Sequence, residues 1–240
     1  MISRARLSLA ARLSITAISV AAFSVLPGVT TANAGPNGSL DQVLPPGFPC
    51  IHTNVSPPIA TWGWTRLDGY EPKFVSGPGD GNSGKGSLKL ENSQGPASLF
   101  HPGFSTPLTQ LARERNALGF MYKGTSATFQ IRIRDAKRTD SVLGGFTTLV
   151  WQPSKNGNAG ANSWVTNPDL ASGQWWSTNP IAGLPTRDKL LTLSQIADQN
   201  PRAWVGEYGV RNGSASTSSY VDNVVYGCSK WDFEPDGSLS

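Results

Sequence analysis

Eight tryptophans carry the most chemistry in this chain: Trp62, Trp64, Trp151, Trp164, Trp175, Trp176, Trp204 and Trp231. That number is too large for all of them to fill a core. An indole presents a flat apolar face and one N–H donor. Set among short polar residues, such a face stacks on the C–H face of a sugar while its neighbours take the hydroxyls. Trp175 and Trp176 are adjacent, so in an extended chain they point to opposite faces, one buried and one exposed. Gln174, Ser177, Thr178 and Asn179 flank them. Trp164, Gln174, Trp175 and Trp176 are therefore the candidate sugar-binding residues.

Catalytic groups are scarce. Retaining glycoside hydrolysis needs two carboxyls about 5 Å apart. The glutamates are Glu71, Glu91, Glu114, Glu207 and Glu234, with eleven aspartates. Glu207 lies on a predicted strand, 203–211, opposite a Trp204/Tyr208 face, and no second Glu takes a comparable place on an adjacent strand. A serine-hydrolase site finds no GxSxG elbow. His52 sits in a proline-rich segment, and His101 precedes Pro102. A lyase trio of His101, Tyr122 and Arg132 has no supporting spacing. Two Cys and two His lack the CxxC or HxxxH spacing of a zinc site. A secreted glycoside hydrolase or polysaccharide lyase stands as the alternative to a non-catalytic binder. A second alternative is a protein-binding module such as an inhibitor, using the proline-rich segment and the polar loop 154–162.

Asp222 sits in SYVDNVVYG (219–227), among valines. A carboxylate there must find an Arg, backbone N–H groups or a cation, because burying it unpaired is costly. An oxygen ligand of this kind suits structural Ca²⁺.

These side chains need a scaffold, and the pattern of the chain predicts an all-β one. Period-two segments recur between turn signals. They are 60–66, 86–92, 116–124, 126–135, 145–153, 163–170, 172–185, 203–213, 219–227 and 230–235. In SATFQIRIRD (126–135), Phe129, Ile131 and Ile133 face one way and Gln130, Arg132 and Arg134 the other. That alternation requires a sheet with one buried and one wet face. Lys123-Gly124 reads as a hairpin turn between 116–122 and 126–135. One short helix is predicted in 190–201, with Thr192 as N-cap and Pro201 as its stop. The prediction is an antiparallel jelly-roll β-sandwich with one short helix insertion. Cys50 and Cys228 are expected to form a disulfide that brings the two ends of the domain together.

The N-terminal segment has the layout of a secretory signal peptide. Arg4, Arg6 and Arg12 precede the apolar run 13–26, and Ala32-Asn33-Ala34 offers an A-x-A cleavage site. The expected organisation is a signal peptide over 1–34, a Pro-rich arm over 35–59 and one sandwich domain over 60–240. Loss of three arginines takes the formal charge from +4 to +1. Nucleic-acid binding then loses its electrostatic basis. No later stretch is long and apolar enough to enter a membrane. The expected product is secreted and monomeric, with a carbohydrate or cell-wall glycan as partner. Its near-neutral charge points to a neutral ligand held by stacking and hydrogen bonds.

Two further motifs carry a family resemblance. One is Tyr220, Asp222, Asn223 and Val224, followed by Trp231, Asp232, Phe233 and Glu234; the other is GKGSLKL (84–90). Together they resemble secreted bacterial jelly rolls of the galactose-binding and carbohydrate-binding-module type. The run from SGQWWST (172–178) to LSQIADQNP (193–201) is similar to a group of secreted actinobacterial proteins. The resemblance covers 60–235. It implies a sandwich fold, a glycan ligand, and structural Ca²⁺ at Asp222, with Asn223 where such modules carry a second Asp.

Overall fold

Alternating apolar and polar residues stabilise a strand only when one face is covered, so the many period-two segments must pair into sheets that cover one another. The computed structural model describes residues 50–79, 84–91, 95–140, 142–158, 161–166, 169–213 and 218–236. All of them belong to one compact unit, Leu40–Ser240. The expected signal peptide and residues 35–49 of the arm lie outside the described residues.

Two sheets form an all-β sandwich. The first has seven strands: β1 (His52–Val55), β2 (Lys73–Val75), β3 (Ser87–Leu90), β5 (Leu118–Gly124), β8 (Ala161–Val165), β12 (Ser219–Tyr226) and β13 (Ser229–Phe233). The second has six: β4 (Ser98–Pro107), β6 (Ala127–Ala136), β7 (Gly145–Trp151), β9 (Gln174–Ser177), β10 (Leu191–Thr192) and β11 (Trp204–Asn212). Their order is β10-β9-β7-β6-β11-β4. Two short helices, α1 (Leu108–Leu111) and α2 (Leu193–Gln199), accompany the strands. Thr192 caps α2 as its sequence predicts. Its hydroxyl accepts from the Gln195 N–H, and the Gln195 side chain accepts from the Thr192 N–H. This reciprocal arrangement satisfies two of the helix's open donors.

Aromatic rings join the sheets. Trp64 is fully buried and meets Tyr208 and His101 of the six-stranded sheet at ring-centre distances of 5.7 and 5.2 Å. On its other side it meets Trp231 and Phe233 of the seven-stranded sheet at 5.7 and 5.4 Å. Tyr208 stacks on Tyr226 at 4.0 Å, and the Trp231 indole N–H donates to the Tyr208 hydroxyl at 2.7 Å. Both contacts cross the core. Burial pushes the Tyr208 phenol up and the His101 imidazole down, so both are held neutral.

Several expectations are corrected. Residues 118–124 and 127–136 are not a hairpin, because β5 pairs with β12 and β8 while β6 pairs with β7 and β11. The chain crosses from one sheet to the other at Gly124, whose φ of 105° suits only glycine. The 60–66 segment is a 3-10 turn over Ile59–Trp62, followed by buried Trp64. The sheets are not wholly antiparallel, since β1 runs parallel to β13. Part of the expected arm is thus an edge strand of the sandwich. His101 lies on edge strand β4, buried and paired with Tyr208.

The Cys50–Cys228 disulfide forms, with Cα atoms 5.0 Å apart across a separation of 178 residues. It pins the entrance of β1 to the turn between β12 and β13. Replacing both cysteines by serine is expected to lower unfolding stability by up to about 5 kcal/mol in the chain-entropy model. The loss should appear as a lower urea midpoint; an unchanged midpoint would show that β13 alone holds β1.

Candidate functional site

Strand pairing decides which side chains of the six-stranded sheet share a face. Trp175 pairs with Trp151, Trp151 with Phe129, Phe129 with Val210, and Val210 with Leu99. That whole row is buried in the core. The next row alternates outward: Trp176, Val150, Gln130, Gly209 and Phe100. A further outward row contains Thr148, Arg132, Glu207 and Pro102. Beyond it, Arg134 pairs with Trp204. The outward face thus has a polar floor bordered by aromatic rings.

Several devices shape this face. Phe100 lies flat over Gly209, where an added Cβ would strike Leu99 O and the Phe100 ring. The Arg132 guanidinium covers Phe100, 4.4 Å from the ring centre. The segment 65–70 runs along the free edge of β4, with Thr65 and Phe100 exchanging backbone hydrogen bonds at 2.8 Å. From it, Asp68 accepts from Arg132 at 2.9 Å and from Arg211 at 2.6 Å. At the end of the sheet, Arg134 stands over both Phe146 and Trp204, at 5.5 and 5.8 Å. Its guanidinium also pairs with Glu207 at 3.2 Å. At the opposite edge, exposed Arg187 stands over the Trp176 ring at 5.9 Å. Arg132 Nε, Trp176 Nε1 and Glu207 Oε2 are buried without a hydrogen-bond partner.

Next to this face a cavity of about 330 Å³ is lined by Arg138, Thr139, Phe146, Asn179 and Pro180, among others. Phe146 is 44% exposed and belongs to both. Leu143 and Val142, in the β6–β7 connection, are also exposed.

The four expected sugar-binding residues are dispersed. Trp176 and Gln174 alternate with Trp175 on β9 and are half-buried on the outward face. Trp175 is a correction: it is 0% exposed, and its indole donates to Leu170 O at 2.8 Å inside the core. Trp164 is on β8 in the other sheet, where its indole donates to Gly79 O at 3.0 Å. It pins the segment leading to β3 and does not join Trp176. Trp204 is also displaced from its expected face. A bulge between Val205 and Glu207 turns Trp204 to the Glu207 side, away from Tyr208. Gly206 inside the strand is the sequence signal for that bulge. Phe146, Arg187 and Asp68 were not picked out from the sequence. Gln130, Arg132 and Arg134 share the face that alternation predicts, but only Arg134 is exposed; Gln130 is buried and Arg132 half-buried beneath the 65–70 segment, a correction to the expected wet face.

Asp222 occupies a separate place, the outer side of the seven-stranded sheet. There β12 switches partner from β3 to β13. Asp222 Oδ1 accepts from the backbone N–H of Asn223 at 2.7 Å and of Phe233 at 2.9 Å. It thereby bridges the break, and Asn223 takes a positive φ of 49°. Oδ2 is buried with no partner. Burial, and then the adjacent Asp232, push the Asp222 carboxyl well above its ordinary value. Glu234, two residues on from Asp232, accepts from the Gly86 N–H at 3.0 Å. Gly84 lies so close to Glu234 that no other residue fits there. The two resembling motifs thus meet: GKGSLKL is held by the Glu of DFE. Among the described residues, no group of three or more His, Cys, Asp or Glu is placed to hold a metal.

No family model matches the chain, and no curated protein matches it. It is similar to a solved structure that concerns the promiscuous specificity of carbohydrate-binding modules of the beta-sandwich superfamily. The identity is 14%, and the match covers 68% of this chain and 56% of that one, with a TM-score of 0.25. The chain therefore spans little more than half of that structure's length. A likeness this loose carries no argument about the ligand.

The Asp222 geometry has a consequence for stability. A carboxyl whose folded pKa is raised binds its proton more tightly in the folded than in the unfolded state. Without added cation, stability is therefore highest below the unfolded pKa of about 4 and falls as pH rises toward the folded pKa. Asp222→Asn removes the titration while preserving shape. In chelator, its melting temperature is expected to fall less than the parent's between about pH 5 and about pH 8. Identical pH profiles would contradict the assignment.

Proposed function

We propose that this is a secreted, monomeric, non-catalytic glycan-binding protein, and that its binding face is the outward side of the six-stranded sheet. The observation that carries the proposal is the set of side chains that reach solvent on this face: half-buried Trp176 and Gln174 with exposed Arg187 at one border, and exposed Phe146 and Arg134 with half-buried Trp204 at the other. An extended polysaccharide needs a surface of this form. Trp176 and Phe146 flank its sugars at the borders, and the Gln174 amide and the charged groups beside these rings take its hydroxyls. The strands set the spacing of these groups, so little ordering is required on binding. Glu207 is spent on Arg134, which makes it a positioning group for the guanidinium and not half of a hydrolytic pair. The disulfide accords with an oxidising compartment, and among the described residues no helix is long and apolar enough to cross a membrane.

Calcium belongs to the same proposal as a structural ion. Asp222 Oδ2 and the Asp232 carboxylate would hold it, and its charge would compensate two buried acids without a proton. Added Ca²⁺ is expected to raise the melting temperature and to flatten its decline with pH. The same melting temperature in chelator and in millimolar Ca²⁺ would remove the ion from the proposal.

Binding is testable by retention on a panel of neutral and acidic polysaccharides. Trp176→Ala and Phe146→Ala are each expected to weaken retention about tenfold, the equivalent of about 1.4 kcal/mol. Trp164→Ala, on the other sheet, should leave it unchanged. Loss with Trp164→Ala and none with Trp176→Ala would move the site to the seven-stranded sheet.

A further inference from the structure

The net charge of the chain conceals an uneven distribution. The outward face of the six-stranded sheet gathers Arg132, Arg134 and Arg211 from its strands and Arg187 from the segment beside β9. Against these four stand two carboxylates. Asp68 is shared by Arg132 and Arg211, so one carboxylate serves two guanidinium groups. Glu207 serves Arg134. Arg187 has no carboxylate within ion-pair distance among the described residues, and its neighbours Asp188 and Lys189 offset one another in formal charge. Asp135, at the rim, accepts from the Trp204 indole at 2.9 Å. Arg138 at the adjoining cavity is matched by Asp140.

The placement of the guanidiniums says more than their number. Three of the four lie over aromatic rings: Arg132 on Phe100, Arg134 on Phe146 and Trp204, and Arg187 on Trp176. A ring available for a neutral sugar would present a bare face to stack on a pyranose. Here those faces are topped by cations. A guanidinium lying on a ring keeps edge N–H groups directed outward, and its planar fork matches a carboxylate with two parallel hydrogen bonds. It is also less strongly hydrated than an ammonium, so it can be desolvated against a ligand at smaller cost.

We infer that the ligand of this face is an acidic polysaccharide whose sugars carry carboxylates, a uronate chain, bound by the ring-supported and solvent-facing Arg187 and Arg134. The inference rests on the glycan-binding reading of the same face and changes the expected ligand from neutral to anionic. The carboxylates pair with guanidiniums, and the pyranose hydroxyls meet half-buried Gln174. The attraction is electrostatic, so it is screened by salt.

Polygalacturonate and its fully methyl-esterified form test this directly, because they share a backbone and differ only in charge. The mature protein should be retained by polygalacturonate, and about tenfold less by the ester or in about 0.5 M NaCl, where the Debye length is only a few ångströms. Arg187→Gln and Arg134→Gln should each weaken retention on polygalacturonate several-fold. Arg187→Gln should leave the melting temperature unchanged, since its side chain is at the surface and makes no ion pair among the described residues. Equal retention on the acid and the ester, or on a neutral glucan with no effect of salt, would overturn the inference while leaving the glycan-binding reading intact. Retention on no polysaccharide of either charge would overturn both. Retention on polygalacturonate that survives Arg187→Gln, Arg134→Gln and the double substitution would also overturn the inference, since the anion would then be held elsewhere.

Discussion

The pairing of β6 between β7 and β11 is the constraint on which the rest depends. Once Phe129, Ile131 and Ile133 are committed to the core, Gln130, Arg132 and Arg134 have only the opposite face. The same register commits each neighbour in turn. Trp151 and Trp175 go inward because they lie in line with Phe129, and Val150 and Trp176 go outward because they lie in line with Gln130. A slip of one residue in this pairing would place three charged or amide side chains against Phe120 and Tyr122 of the opposite sheet. The cost of burying them unpaired protects the register.

Departures from regular alternation finish the face. The bulge at Gly206 brings Trp204 round to Arg134, and the absence of a side chain at Gly209 lets Phe100 lie against the backbone. Arg132 and Arg134 then have rings to rest on, and Asp68 fixes Arg132 from outside the sheet. A second polar cluster, around Asp222 and Glu234, does different work. It bridges the place where β12 exchanges one partner strand for another, and it ties the segment before β3 to the last strand. One polar cluster lies on the outward face of the six-stranded sheet, and the other sits inside the joinery of the sandwich.

Sequence patterns carried a good part of this. Alternation located β6 and its polar face, adjacency separated Trp175 from Trp176, and the Thr192–Gln195 spacing located α2 and its cap. These are local signals, fixed by the geometry of a strand or a helix turn. What escaped was set by distant pairing. Nothing near Gly124 distinguishes a hairpin from a crossing between sheets, because both require a sharp turn. β4 is not among the predicted strands, because Pro102 and Gly103 interrupt its alternation, although an edge strand tolerates proline. Trp164 and Trp176 have similar polar neighbours, and only sheet order separates them. Arg187 and Asp68 sit in irregular segments, so their places over Trp176 and between two arginines had no periodicity to reveal them.

The central claim is that the outward face of the six-stranded sheet meets the ligand. Solution NMR of the ¹⁵N-labelled mature protein, titrated with a short uronate oligosaccharide, tests it most directly. The Trp176 indole N–H, the Gln130 side-chain amide and the Arg134 Nε–H should shift together and saturate with one affinity, while the Trp164 and Trp175 indoles stay in place. Shifts confined to Trp164 and its neighbours in the seven-stranded sheet would contradict the claim.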